Sequence, residues 1–176
     1  MRSTILTGLG KCRAMLGEVE ACRRAMGEQA EAWSTALETA PSWHWTRQAS
    51  EAMVTGFGAA MQGSVLERLS RKHPEFAPDA VEQLRICLDS YDSTYAFGRS
   101  DELPYLASAY FHVGDLDPAV RTGFEAVNAF SGLSSKRSVS NLRLVAVAAE
   151  PFAHKSDVAE LRERIRTELT QAHGFD

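Results

Sequence analysis

Residues 106–127 read LASAYFHVGDLDPAVRTGFEAV, and the spacing in this stretch decides the fold class. Leu106, Ala107, Ala109, Tyr110 and Val113 recur near the 3.6-residue period of a helix. Ala119, Val120, Gly123, Ala126 and Val127 do the same beyond a break at Gly114-Asp115-Leu116-Asp117. Gly114 suits the positive-φ residue that ends a helix. Asp117 before Pro118 starts the next one, with proline at the first helical position. The stretch therefore predicts two antiparallel helices that touch through alanine and glycine.

A chain of 176 residues can hold one domain with a real core, or about three to four such hairpins in a row. No apolar run reaches the roughly 18 residues that a membrane span needs. Lys11, Arg13 and Glu18 interrupt the apolar core that a signal peptide would require. The formal net charge of −4 argues against a nucleic-acid surface spread over the chain. Cys12, Cys22 and Cys87 are an odd set with no Cys-x-x-Cys pair. They fit reduced thiols in a cytoplasmic protein better than a disulfide framework or a zinc site. The expectation is a soluble, cytoplasmic all-α protein with no membrane segment.

Leu9, Cys12, Leu16, Val19, Cys22 and Met26 step by three and four, the stripe of an amphipathic helix. Gly27 is expected to interrupt it, with a second helix from Glu28 to Ala40 that stops at Pro41. Gly27-Glu28 followed by Ala32 then aligns with Gly114-Asp115 followed by Ala119, and Ala36 falls where Gly123 falls. Trp45 to Met61 carries another helical pattern that can continue to Lys72. His73-Pro74 and Ala77-Pro78 break it, and the next helix runs from Asp79 to about Tyr95 on Val81, Leu84, Leu88, Tyr91 and Tyr95. Ser134 or Ser135 caps a helix to about Ala149 that carries Val139, Leu142 and Val145. Ser156 or Asp157 starts the last helix, with Val158, Leu161, Ile165 and Leu169 inward and Glu160 paired with Arg164 outside. The predicted organisation is one domain over 1–176, with hairpins at about 9–40, 46–95 and 102–131 and capping helices at about 135–149 and 156–172.

The Leu106–Val127 stretch resembles a tetratricopeptide repeat, and a tetratricopeptide-like α-solenoid of about three hairpins plus a C-terminal capping helix is the architecture this implies. With SSKRSVSNLRL at Ser134–Leu144 and VAELRERIR at Val158–Arg166, the chain also resembles a narrower group. That group is the C-terminal helical-repeat region of actinobacterial helix-turn-helix transcriptional regulators. The likeness extends over residues 10–172, is densest from Leu103 to Leu169, and includes Ser42-Trp43-His44-Trp45 more loosely. In such regulators a helix-turn-helix domain binds DNA and the repeats sense a ligand or partner. No helix-turn-helix segment precedes the repeats here, so no direct DNA binding by this chain is expected.

The groove of such a hairpin is lined by its first helix. If Leu106 and Ala107 face the neighbouring helix, Asp101, Ser108 and His112 face the concave side with Tyr105 nearby. Tyr91 and Trp45 would add aromatic surface from upstream. Relatives that grip a terminal carboxylate place lysine and asparagine at such positions, whereas Ser108 and His112 stand here; a solvated histidine is the plainer reading of His112. Trp33, Trp43 and Trp45 suit a recognition patch, although packing of a short connection explains them as well. Asp89 and Asp92 share a helix face, and Asp101 is a third carboxylate, but no His or Glu completes a cation site. No metal or cofactor is expected. Arg68, Arg71, Lys72 and His73 form the densest basic cluster, which a solvated helix end explains.

The expected function is a non-catalytic interaction or ligand-sensing module associated with transcriptional regulation. It would dock a peptide, protein or small molecule in a concave groove formed by Tyr91, Tyr105, Ser108, His112 and Trp45. The alternative is a structural adaptor or dimerisation scaffold, whose mark would be exposed apolar surface near Leu6 and Leu9. A helical enzyme would need perturbed ionisable groups in a closed pocket, and no motif in the sequence supplies them.

Overall fold

The computed structural model describes residues 2–42, 44, 49–91, 96–130 and 136–172, with backbone alone at 96, 97, 136 and 172. Among these residues every regular element is helical and no strand occurs. The chain divides into two compact units, 1–92 and 93–176. The first holds α1 (Arg2–Leu16), α2 (Val19–Thr39), α3 (Glu51–Ser70), a short 3-10 turn (Pro74–Phe76) and α4 (Ala77–Ser90). The second holds α5 (Ala96–Val113), α6 (Leu116–Phe130), α7 (Lys136–Ala148), a 3-10 turn (Glu150–Phe152) and α8 (Ser156–Ala172).

Each unit opens with the same hairpin, built the same way. Among the described residues Gly17 and Gly114 are the glycines of positive φ, at +79° and +85°. At the first, the Gly17 amide donates to the Ala14 carbonyl and the Glu18 amide to the Arg13 carbonyl, both at 3.0 Å. At the second, Gly114 donates to Phe111 and Asp115 to Tyr110, both at 3.1 Å. This paired closure satisfies helix-end carbonyls and requires a left-handed residue, hence glycine. Shifting the numbering by 97, from Gly17 to Gly114, also superimposes the buried faces. Ser3, Leu6, Thr7, Gly10 and Ala14 fall on Ser100, Leu103, Pro104, Ala107 and Phe111, all of them buried. Cys22, Ala25 and Gln29 fall on Ala119, Thr122 and Ala126, again buried.

This register corrects the expected one. Gly27 does not interrupt a helix; α2 runs straight through it, and a Cβ there would meet open space. The turn lies ten residues earlier, at Gly17-Glu18. Ala36 is exposed where Gly123 is buried, so that correspondence fails too. Further along, α4 begins at Ala77 because Pro78 sits in its first turn, where a missing N–H costs nothing. It ends at Ser90, short of the expected Tyr95, which lies outside the described residues. Helix α5 extends back to Ala96 and keeps Pro104 in its interior. Ser134 and Ser135 lie outside the described residues. In α8, Arg164 pairs with Glu168 at 3.3 Å rather than with Glu160.

Packing within each unit follows from close approach at small residues. In the first, α1 packs on α2 and α3, and α4 on α3. A Cβ on Gly10 would stand 3.2 Å from Val65, and one on Gly63 would stand 2.7 Å from Leu84. The Cys22 thiol donates to the Gly10 carbonyl at 3.6 Å, tying α2 to α1. Ser50 caps α3 by accepting from the Met53 amide at 3.2 Å. In the second unit, α5 packs on α6 and α7, and α8 lies on α6 and α7. Gly123 admits Leu161 there, and Phe111 stacks on Phe152 with ring centroids 6.0 Å apart.

Candidate functional site

Asp101, Tyr105, Ser108 and His112 follow one another by four, three and four residues, so one face of α5 carries them all. That face meets α7 along a polar seam. Arg137 donates to the Asp101 carboxylate at 3.0 Å, the Asn141 amide donates to the Asp101 carbonyl at 3.4 Å, and the Tyr105 hydroxyl donates to Asn141 Oδ1 at 3.2 Å. Asp101, Tyr105, Ser138 and Asn141 are all buried. Buried polar groups must be hydrogen-bonded, and a seam of this kind sets the register of the helices that share it.

The geometry brings the expected residues of α5 together and hides most of them. Ser108 is 1% exposed and Tyr105 is buried, where both were expected on an open groove. His112 is half-buried, with Nε2 3.5 Å from the Ser108 hydroxyl. That separation is at the outer limit of a hydrogen bond and is looser than a working nucleophile and base require. It is the contact expected of two side chains one turn apart. Tyr91 belongs to the first unit, is buried, and meets Phe57 edge-on at 6.3 Å. Trp45 lies outside the described residues, as does Trp43. Trp33 is half-buried, with Nε1 3.2 Å from where a Cβ on Gly58 would be, as packing of α2 on α3 requires.

Other sequence features resolve into structural roles. Arg71 grips the fully buried Glu67 through both carboxylate oxygens, at 2.7 and 3.1 Å. The His73 ring lies 3.3 Å from the Gly17 carbonyl and 3.5 Å from Glu75. Arg71 and His73 of the basic cluster are thus tied into the first unit. Among the described residues no group of three His, Cys, Asp or Glu is placed to hold a metal ion, and no helix is long and apolar enough to cross a membrane.

The apolar surface that the adaptor alternative asks for near Leu6 and Leu9 lies on the outer face of α1, with Leu9 open and Leu6 buried. Ile5 is 65% exposed, Leu9 42%, Met15 62% and Leu16 64%. Ile5, Leu9, Cys12 and Leu16 step by four, three and four, directly opposite the buried face of Ser3, Leu6, Thr7, Gly10 and Ala14. Apart from Leu6, the helix turns small and hydroxyl residues inward, while Ile5, Leu9, Met15 and Leu16 stand outward. At Gly10 the inner partner, Val65, comes too close for anything larger. At the positions of the second hairpin that match Leu9 and Cys12, Leu106 and Ala109 are buried. Set against known protein families, curated proteins and solved structures, the chain has no match that identifies a relative.

Proposed function

We propose that this chain is a non-catalytic helical-repeat interaction module associated with transcriptional regulation, and that it docks protein partners through the outer face of α1. The carrying observation is the inverted amphipathicity of α1. Ile5, Leu9 and Leu16 stand open on one stripe with Cys12 among them and Met15 to one side, and contiguous exposed apolar surface of this kind marks binding sites. The two hairpins in one register support a repeat architecture of tetratricopeptide type, and the likeness to regulator repeat regions supplies the transcriptional setting. The burial of Tyr105 and Ser108 shifts weight from ligand sensing in a groove toward docking on a helix face.

Self-association is the mode of docking we infer, because a two-fold pairing sets one stripe against its own copy. The charges near the end of α1 are internally matched, Glu18 with Arg13 and Glu20 with Arg23, and leave the stripe itself apolar. Two copies of α1 packed together bring their apolar stripes into contact. A two-fold pairing of this sort is the commonest form of homodimer. The chain would then be a dimerisation scaffold whose pairing positions other regulatory parts.

A genetic comparison tests the whole reading. The gene is deleted from its host and restored either as wild type or as Ile5→Glu/Leu9→Glu, with transcripts sequenced in each strain. Deletion is expected to change a defined set of transcripts, which the wild type restores and the variant does not. An unchanged transcript profile on deletion would contradict the regulatory role, and full restoration by the variant would contradict docking through α1.

A further inference from the structure

The turn that ends α1 is held from outside by one imidazole. The Gly17 carbonyl accepts from the Val19 amide at 3.1 Å and also stands 3.3 Å from Nε2 of His73. His73 is fixed in the corner after α3, where its amide donates to the Leu69 carbonyl at 3.0 Å and its carbonyl accepts from the Phe76 amide at 3.1 Å. Its ring is half-buried and meets Phe76 edge-on, with centroids 6.3 Å apart. The second ring nitrogen, Nδ1, lies 3.5 Å from the Glu75 carboxylate. Both nitrogens therefore face oxygens that can only accept. A neutral imidazole has one N–H to give, whereas the imidazolium has two.

We infer that His73 is a proton-operated clasp, which on gaining its second proton ties the end of α1 to the corner after α3. The position favours the cation for a further reason. Gly17 lies just past the C-terminal end of α1, and such an end attracts positive charge. The neighbouring charges are few. Glu18 of the same turn is engaged by Arg13, and Arg23 of α2 lies over the Phe76 ring at 5.3 Å with Glu20 3.8 Å away. Lys72 lies beside Gly17 and opposes a second cation there, but it is exposed, where solvent and salt screen it. In the unfolded chain no acceptors are fixed around the ring, so the folded chain binds the proton more tightly. The stability that the clasp adds is complete near about pH 5 and is lost as pH rises toward about 8. The turn adjoins Met15 and Leu16, so the clasp steadies the face that α1 presents. That consequence rests on the reading of α1 as an interface.

The test is a urea melt of the full chain near pH 5.5 and near pH 8, the two sides of histidine's range, with wild type beside His73→Gln. Protein is kept near about 1 µM, so that self-association does not enter. Groups that the two proteins share cancel in the difference between them. The stability advantage of wild type over His73→Gln, as a ratio of folding constants, is expected to be about threefold or more larger at the acid pH, the scale of a cation at a helix end. Glu75→Gln, which leaves Gly17 as an acceptor, should show the same trend to a smaller degree. In nuclear magnetic resonance spectra the Glu18 and Val19 amide signals should move across this pH range in wild type and stay still in His73→Gln. A wild-type advantage that is equal at the two pH values, or amide signals that move alike in both proteins, would overturn the clasp. Should His73→Gln misfold, Glu75→Gln decides, and a difference from wild type that is independent of pH would overturn it. These readouts do not involve pairing of α1, so their failure leaves the docking reading intact, and a monomeric wild type leaves the clasp intact.

Discussion

The side chain of Leu161 occupies the space that a Cβ on Gly123 would need, its Cδ2 lying 2.5 Å from that position. Leu161 is fully buried and cannot swing aside, so α8 sits on α6 because residue 123 has no side chain. Gly123→Ala gains up to about 1 kcal/mol in helix propensity but forces this contact, and overpacking costs typically about 1–3 kcal/mol. The net expectation is destabilisation of roughly 1 kcal/mol. In a Leu161→Ala background the same substitution should become neutral or stabilising, because the cavity accepts the methyl group. Urea melts of the four proteins measure this coupling, and additive effects would show that the two residues do not touch.

Three glycines, at 17, 27 and 114, separate the two readings of where the first hairpin turns. Gly17→Ala and Gly114→Ala each place a side chain at positive φ and should destabilise by about 1 kcal/mol or more. Gly27→Ala sits in a helix facing open space and should stabilise by up to about 1 kcal/mol. Thermal melts decide between them. A destabilising Gly27→Ala would restore a turn at Gly27 and remove the register built on Gly17.

Tyr105→Phe isolates the polar seam. The change removes the donor to Asn141 inside a buried site, and an acceptor left unpaired there costs about 1–3 kcal/mol. Ala119→Glu probes the hairpin beside it by putting a charge where two helices touch, with a loss of about 3–5 kcal/mol. Denaturant midpoints well below the wild type are the expected outcome for both. Unchanged midpoints would place Tyr105 or Ala119 at the surface.

The thiols should fall into two classes. Cys12 is exposed, while Cys22 and Cys87 are buried. A thiol reagent should therefore modify one cysteine quickly and the other two only on unfolding. Burial raises the Cys22 pKa above its ordinary value near 9, so the folded state holds that proton more tightly than the unfolded chain. The stability from this group is complete below the ordinary thiol range and is lost as pH rises toward the folded value. Rapid labelling of all three thiols at neutral pH would contradict the packing of α2 on α1.

The Leu106–Val127 hairpin was legible because its signals agree. Gly114 is at positive φ, Pro118 lies in the first turn of α6, and Ala119, Gly123 and Ala126 are buried as their spacing predicts. The first hairpin was harder to read for a physical reason. Gly17 and Gly27 look alike in sequence, and only the tertiary fit shows that one closes a helix and the other rides on its surface. The face of α1 was inverted because large apolar residues were assigned inward. The approach to Val65 leaves no room for a side chain at Gly10, and of the large apolar residues of α1 Leu6 is the one turned inward. Asp101, Tyr105, Ser108 and His112 share one face of α5, as helical spacing requires. Their exposure was not legible, since the hydroxyls of Ser108 and Tyr105 are buried in helix contacts rather than facing water.

The account rests most heavily on α1 as an interface, and sedimentation velocity tests that directly. Purified wild-type chain, run from about 1 to 100 µM, should shift reversibly from monomer toward dimer, since each apolar side chain buried contributes up to about 1.5–3 kcal/mol. Ile5→Glu/Leu9→Glu should remain monomeric throughout with an unchanged circular dichroism spectrum, because both positions are exposed in the single chain. A wild type that sediments as monomer across the whole range would contradict the account, and so would a variant that dimerises as strongly as the wild type.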